Sequence, residues 1–141
     1  MLGSDHLAIG GNEAAAVAFD SRGDAQWVTT FVGPGDDAMQ SVYLDEAGET
    51  FVALGFQETV DFAGQTATAE ETDVLLARLS SDGSLRWHVH FGGPGFDRPW
   101  GIAERDGVVV ATGEYREPVT VVDVPLKDGE SANWWVAAFT R

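Results

Sequence analysis

The chain has 141 residues, 44% of them hydrophobic, which is enough for one domain with a real core. Its 23 acidic residues outnumber 8 basic ones, and the resulting net charge of −15 repels phosphate backbones and anionic lipid, so nucleic-acid binding is not expected. Membrane insertion is not expected either, because no run of about 18 apolar residues occurs, and the absence of cysteine excludes disulfides and thiolate metal sites.

The first half of the chain predicts short strands, because apolar stretches alternate with residues typical of turns. A short strand is expected at residues 6–10 (HLAIG). Two hairpins should follow, the first joining residues 14–19 to 26–31 and the second joining 40–44 to 50–55.

The second half predicts the same elements again. Residues 59–72 form a more polar excursion with one short extra strand. Strands 74–79 and 85–91 should then repeat the first hairpin, while the stretches 100–104 and 108–113 repeat the second. No sustained helical period is present, so the chain is predicted to be all-β.

Identical residues recur at a constant spacing of 60 positions. The pairs Trp27 and Trp87, and Gly33 and Gly93, show it most clearly. Self-similarity at a fixed period is typical of repeat architectures. We therefore predict a single repeat region over residues 1–141, with copies at about 14–73 and 74–133 and a partial copy at 134–141.

Each period offers four short antiparallel strands, the strand content of one β-propeller blade. The chain then holds about two complete blades plus part of a third. Because a sheet that is apolar on both faces cannot bury them alone, neighbouring sheets must stack. Trp27 and Trp87 are expected to fill the space between sheets, while Trp134 and Trp135 should lie on opposite faces of one strand.

These residues resemble the bacterial SBBP-type β-propeller repeat. The resemblance is carried by core positions and turn glycines, namely Asp73, LLARL at 75–79, Gly83, Trp87, FGG at 91–93, Gly95, Asp97, GIA at 101–103, VATG at 110–113 and TVDF at 59–62. It implies a propeller fold and a secreted or cell-surface location. No signal peptide is visible in MLGSDHLAIGGNE, so the location stays open.

A propeller needs about 4–8 blades, more than this chain supplies. Three copies would give about six blades and four copies about eight, so we expect the chain to close a ring as a trimer or tetramer. The strand at 134–139 repeats the one at 14–19, which could let each chain complete a neighbour's blade. The alternative is a piece of a longer array.

Acidic residues mark the two loops that should lead from one blade to the next. Asp36 and Asp37 close the loop GPGDD, and Asp97 closes GPGFD. Their oxygens could hold Ca²⁺ near the axis of a ring. The structural alternative is that glycine makes the turn and aspartate accepts bonds from backbone N–H groups.

The second loop continues into a candidate ligand site. Asp97, Arg98 and Trp100 combine a carboxylate, a guanidinium and an aromatic face, a set suited to sugars or planar ligands. The structural alternative is a surface ion pair of Asp97 with Arg98 and a core Trp100. His88 and His90 share one strand face but lack an evident third ligand, so no metal site is predicted.

No catalytic motif such as G-x-S-x-G, a P-loop or H-E-x-x-H is present. The first hypothesis is therefore a non-catalytic propeller module or scaffold that binds a ligand or protein at loops near the axis. One alternative is a lectin-like protein that binds carbohydrate. Another is a propeller hydrolase that uses carboxylates and a divalent cation.

Overall fold

The computed structural model describes residues 11–127, 131 and 133–140. Within these ranges every regular element is a strand, so the predicted all-β class is confirmed, while the strand predicted at 6–10 lies outside the described residues. The strands are β1 (Ala14–Phe19), β2 (Ala25–Val32), β3 (Ala38–Leu44), β4 (Thr50–Phe62), β5 (Gln65–Leu79), β6 (Leu85–Phe91), β7 (Arg98–Arg105), β8 (Val108–Tyr115), β9 (Val119–Val121), β10 (Val124–Leu126) and β11 (Asn133–Thr140). No helix in these ranges could cross a membrane.

All four predicted hairpins form, as the antiparallel pairs β1–β2, β3–β4, β5–β6 and β7–β8. The turns of the first and third close in the same way. The backbone N–H of Asp20 donates to Asp24, and that of Ser80 donates to Ser84. Gly23 and Gly83 occupy the left-handed region in these turns, at φ 88° and 84°, which explains why glycine stands at both positions.

The polar excursion predicted at 59–72 does not leave the sheet. Instead β4 runs on to Phe62 and β5 begins at Gln65, so the two strands continue as one long hairpin. A bulge at Glu58, with φ 57°, turns the outer half of this hairpin toward β2, where Phe62 pairs with Phe31. The pattern looked polar because this outer part is only partly buried.

Three layers stack in chain order. The middle layer is formed by β3-β4-β5-β6. The β1–β2 hairpin lies on one side and joins the same six-stranded sheet where β2 pairs with the outer part of β4, and the three-stranded sheet β7-β8-β11 lies on the other side. One core joins the first two layers: Ala14, Ala16, Trp27, Phe31, Val52, Leu54, Phe56, Val60, Phe62, Ala67, Leu75, Ala77 and Leu79. A second core joins the last two: Phe51, Ala53, Val74, Leu76, Val89, Phe91, Ile102, Val109, Ala111, Tyr115, Val119, Val121 and Trp135. The described residues form no closed barrel or ring.

Trp27 fills the space between the first two layers, as predicted. Its Nε1–H donates to the carbonyl oxygen of Ser81 at 2.9 Å, and its ring lies on the turn at Gly83. Burying an indole removes roughly 150–250 Å² from water, a gross gain of about 4–6 kcal/mol. Trp87 is only half-buried and packs against the second core, with its ring 6.5 Å from that of Phe51.

Trp134 and Trp135 lie on opposite faces of β11, as the alternation of a strand predicts. Trp135 is buried against Phe91, with ring centroids 5.1 Å apart. Trp134 is 68% exposed on the outer face of the third layer. One indole therefore belongs to a core and the other to an open surface.

Substitutions at two equivalent turn glycines test how closely Trp27 packs on the turn at Gly83, measured as a difference in the free energy of unfolding. Gly83→Ala and Gly23→Ala should both lose about 1–2 kcal/mol, because an alanine Cβ strains a left-handed backbone. A Cβ at Gly83 would also lie 2.7 Å from Cδ2 of Trp27, whereas a Cβ at Gly23 meets open space. We expect Gly83→Ala to cost about 1–3 kcal/mol more in urea denaturation. Equal losses would mean that Trp27 does not pack on this turn.

Candidate functional site

The two loops rich in glycine lie at the same end of the stacked sheets, which we call the loop end. Residues 33–37 lead from β2 to β3, and residues 92–97 lead from β6 to β7. A Cβ at Gly33 would collide with the carbonyl oxygen of Thr59, and one at Gly93 with that of Pro118. Glycine is needed in both loops because a neighbouring backbone approaches closely.

Asp37 and Asp97 point into the protein and do not present ligand atoms to solvent. Both residues are buried, at 2% and 0% exposure. The backbone N–H of Asp37 donates to Asn12 at 2.7 Å, and that of Asp97 donates to Thr72 at 2.8 Å. The Oδ2 of Asp97 accepts a 2.8 Å bond from the N–H of Gly93. The carboxyl group of Asp97 thus holds its loop in place, as the structural alternative predicted, while Asp37 is held through its backbone N–H.

Burial changes the charge state of both carboxyl groups. It raises the pKa of Asp97 to about 7, and the nearby carboxylate of Asp73 contributes to the rise. Burial likewise raises the pKa of Asp37 to about 6, with a contribution from Glu13. Both groups are therefore largely neutral in mildly acidic solution.

The ion pair of Arg98 with Asp97, which belonged to the structural alternative, does not form. The guanidinium of Arg98 stacks over the ring of Trp100, 4.2 Å from Cζ to the ring centroid, and Nη2 donates to Oε1 of Gln40 at 3.1 Å. Trp100 is 41% exposed and lies beside Trp134, with ring centroids 6.4 Å apart. Thus Arg98 and Trp100 are brought together, while Asp97 is turned away.

The predicted calcium ligands are not brought into one set. Asp36 is exposed and accepts the N–H of Asn12 at 2.9 Å, apart from the buried Asp37 and Asp97. In the part of the chain that the structure describes, no group of three or more His, Asp or Glu side chains could hold a metal ion.

The two histidines of β6 have packing partners. His90 Nε2 lies 2.7 Å from Oδ2 of Asp73, and its ring is 5.2 Å from that of Phe56. His88 packs edge-on against Phe62, also at 5.2 Å. Both imidazoles therefore lie on one face, as predicted, and both contact the phenylalanines of that face.

A small cavity at the loop end is lined in part by polar side chains. Its volume is about 220 Å³. Residues of β3, β4, β5, β7 and both loops line it: Asp36, Ala38, Gln40, Gly55, Gln57, Thr72, Phe96 and Arg98. Of the predicted ligand residues, Asp36 and Arg98 are here.

Gln40 and Gln57 line this cavity but are not among the candidates predicted from the sequence pattern. Gln40 stands 60 positions before Trp100, so the spacing that pairs the loops could have indicated it. Gln57 follows the apolar run FVALGF in β4, where a polar side chain marks the end of the buried part.

No protein-family model and no curated protein matches this sequence. Any function must therefore be inferred from the geometry of the loop end and from the surfaces of the stacked sheets.

The raised pKa of Asp97 predicts how stability depends on pH. Because about 7 exceeds the ordinary value of 3.8, the folded state binds more protons than the unfolded state between about pH 4 and pH 7. The free energy of unfolding should fall as pH rises through this window, by on the order of 4 kcal/mol. Asp97→Asn should flatten this dependence, measured by urea denaturation at each pH.

Pro94→Ala provides the control, because it changes an exposed residue of the same loop and keeps the carboxyl group. It should retain the wild-type dependence on pH. An Asp97→Asn protein whose stability still falls as steeply as that of the wild type would contradict the assignment.

Proposed function

We propose that this chain is a non-catalytic binding or scaffold module made of β-propeller blades. In this proposal further copies of the chain complete the ring, and the loop end receives a ligand or partner. One observation carries the proposal. Apolar side chains that are buried in the middle layer have counterparts 60 positions away in the outer layers, and those counterparts are exposed.

No sheet among the described residues covers the outer face of the third layer. Trp134 and Val136 are 68% and 75% exposed, whereas Val74 and Leu76, 60 positions earlier, are fully buried in the middle layer. The third layer itself covers Val74 and Leu76. A further sheet of the same kind would cover Trp134 and Val136 in the same way.

The outer face of the first layer shows the complementary pattern. Val17 and Phe19 are 43% and 64% exposed, while Ala77 and Leu79, 60 positions later, are fully buried against the first layer. The third layer of one copy could therefore pack on the first layer of the next copy. Such a contact uses two different surfaces, and contacts of this type generate rings when the rotation closes.

Recurrent backbone conformations support the interpretation of the layers as related blades. Glu58, at the bulge of the β4–β5 hairpin, and Glu117, between β8 and β9, both have positive φ. So do Ala63 and Val122, at the tips of the β4–β5 and β9–β10 hairpins. Positive φ is unfavourable for such residues, most of all for the β-branched Val122. The same strained conformation in two layers indicates a shared local fold.

The loop end favours binding over catalysis. The hydrolase alternative would rely on the carboxyl groups of Asp37 and Asp97, but both are buried, and that of Asp97 accepts the backbone N–H of Gly93. The accessible polar groups are the side chains around the cavity, which are suited to hydrogen bonding with a ligand.

Light scattering tests ring closure directly. We expect a molar mass of three or four chains. Because each copy carries a charge of −15, copies repel one another, and the assembled fraction should rise with salt. Val136→Arg should give monomers whose folding stability changes by less than about 0.5 kcal/mol, since this side chain is exposed in the single chain.

Ala47→Arg adds the same charge at an exposed turn and should assemble like the wild type. A wild-type protein that is well folded yet monomeric at high concentration and high salt would refute ring closure.

A further inference from the structure

The cavity at the loop end lies where the middle and third layers meet. β3, β4 and β5 of the middle layer supply Gln40, Gln57 and Thr72, while Phe96 and Arg98 come from the loop and strand that begin the third layer. Drug-sized ligands occupy pockets of about 300–1,000 Å³. A volume of about 220 Å³ is therefore suited to one small ring.

Arg98 is held in position with hydrogen-bonding capacity left over. The ring of Trp100 fixes its plane at 4.2 Å, and Gln40 accepts a bond from Nη2. Its Nε–H is buried and has no acceptor among the described residues. A buried donor without a partner costs about 1–3 kcal/mol, but Nε is enclosed by the protein, so a ligand in the cavity would meet other atoms of the guanidinium.

The other walls supply complementary groups. Nε2 of Gln57 donates to Oγ1 of Thr72 at 3.1 Å, which fixes the amide at the cavity wall. Asp36 contributes a carboxylate whose Oδ1 is held by the N–H of Asn12. Phe96 contributes a half-buried aromatic ring, with Arg116 over it at 5.5 Å.

The charges around the cavity restrict the ligand. Asp36 and the net charge of −15 oppose an anion, while the fixed guanidinium of Arg98 opposes a cation. A neutral polyhydroxy ring has hydroxyl groups that donate to Asp36 and accept from Arg98, together with C–H groups that can lie on an aromatic ring.

We infer that this cavity binds a single neutral sugar-sized ring, with Arg98, Gln57 and Asp36 as its hydrogen-bonding residues. The inference rests on the proposed binding function and names its ligand class. It differs from the set expected from sequence, because Asp97 is buried and Trp100 acts through Arg98.

Binding is tested with a panel of neutral methyl glycosides on the full chain, first by saturation-transfer NMR and then by calorimetry. We expect millimolar or tighter binding of at least one glycoside. Arg98→Lys should weaken it by about tenfold or more, because lysine keeps the charge but loses the planar set of donors. Gln57→Met, of similar volume, should also weaken it.

Arg105→Lys is the matched control, since Arg105 is exposed at the far end of the same strand and should leave binding unchanged. Circular dichroism verifies that each variant is folded. Absence of binding to every glycoside, or equal binding by wild type, Arg98→Lys and Gln57→Met, would overturn the inference. Ring closure is tested separately by the molar mass from light scattering. A protein that assembles but binds no glycoside would therefore refute the sugar site and leave the proposed ring unaffected.

Discussion

The structure depends on a middle sheet that is apolar on both faces. In β4, Val52 and Leu54 point to one core while Phe51 and Ala53 point to the other, and none of the four is more than 1% exposed. Antiparallel sheets commonly leave one face in water, and this one does not. Since each large apolar side chain contributes about 1.5–3 kcal/mol when buried, neither face can be uncovered without a large loss. The first and third layers are therefore required for folding.

The same stacking forms the loop end. Each connection between layers passes close to a neighbouring backbone, at Thr59 for Gly33 and at Pro118 for Gly93, and this close approach requires glycine. Both connections carry a buried carboxyl group, and burial raises the pKa to about 6 for Asp37 and about 7 for Asp97. Side chains at the junction of two layers are left to line a cavity. In this arrangement the core provides stability, and the junction provides the candidate binding groups.

The sequence predicted the hairpins well because their signals are local. The apolar runs and the turns at Gly23 and Gly83 mark strand ends directly. It predicted burial less well, because burial depends on which sheet lies opposite. Trp27 and Trp87 stand at equivalent positions, yet Trp27 is buried against the turn at Gly83, whereas Trp87 is half-buried. Likewise the sequence suggested that the carboxyl group of Asp97 binds a ligand. Its actual role, accepting a bond from the backbone of its own loop, depends on how neighbouring strands pack around that loop.

Native-state hydrogen exchange tests most directly whether the middle sheet is the part that the outer layers must cover. We expect backbone amides of residues 51–54 and 74–77 to exchange only through global unfolding, with an opening free energy equal to the free energy of unfolding from urea. Amides of β11, at the edge of the third layer, should exchange through smaller openings. If the amides of β4 and β5 opened as easily as those of β11, the middle sheet would not be the core on which folding depends, and the explanation given for the stacked layers would be wrong.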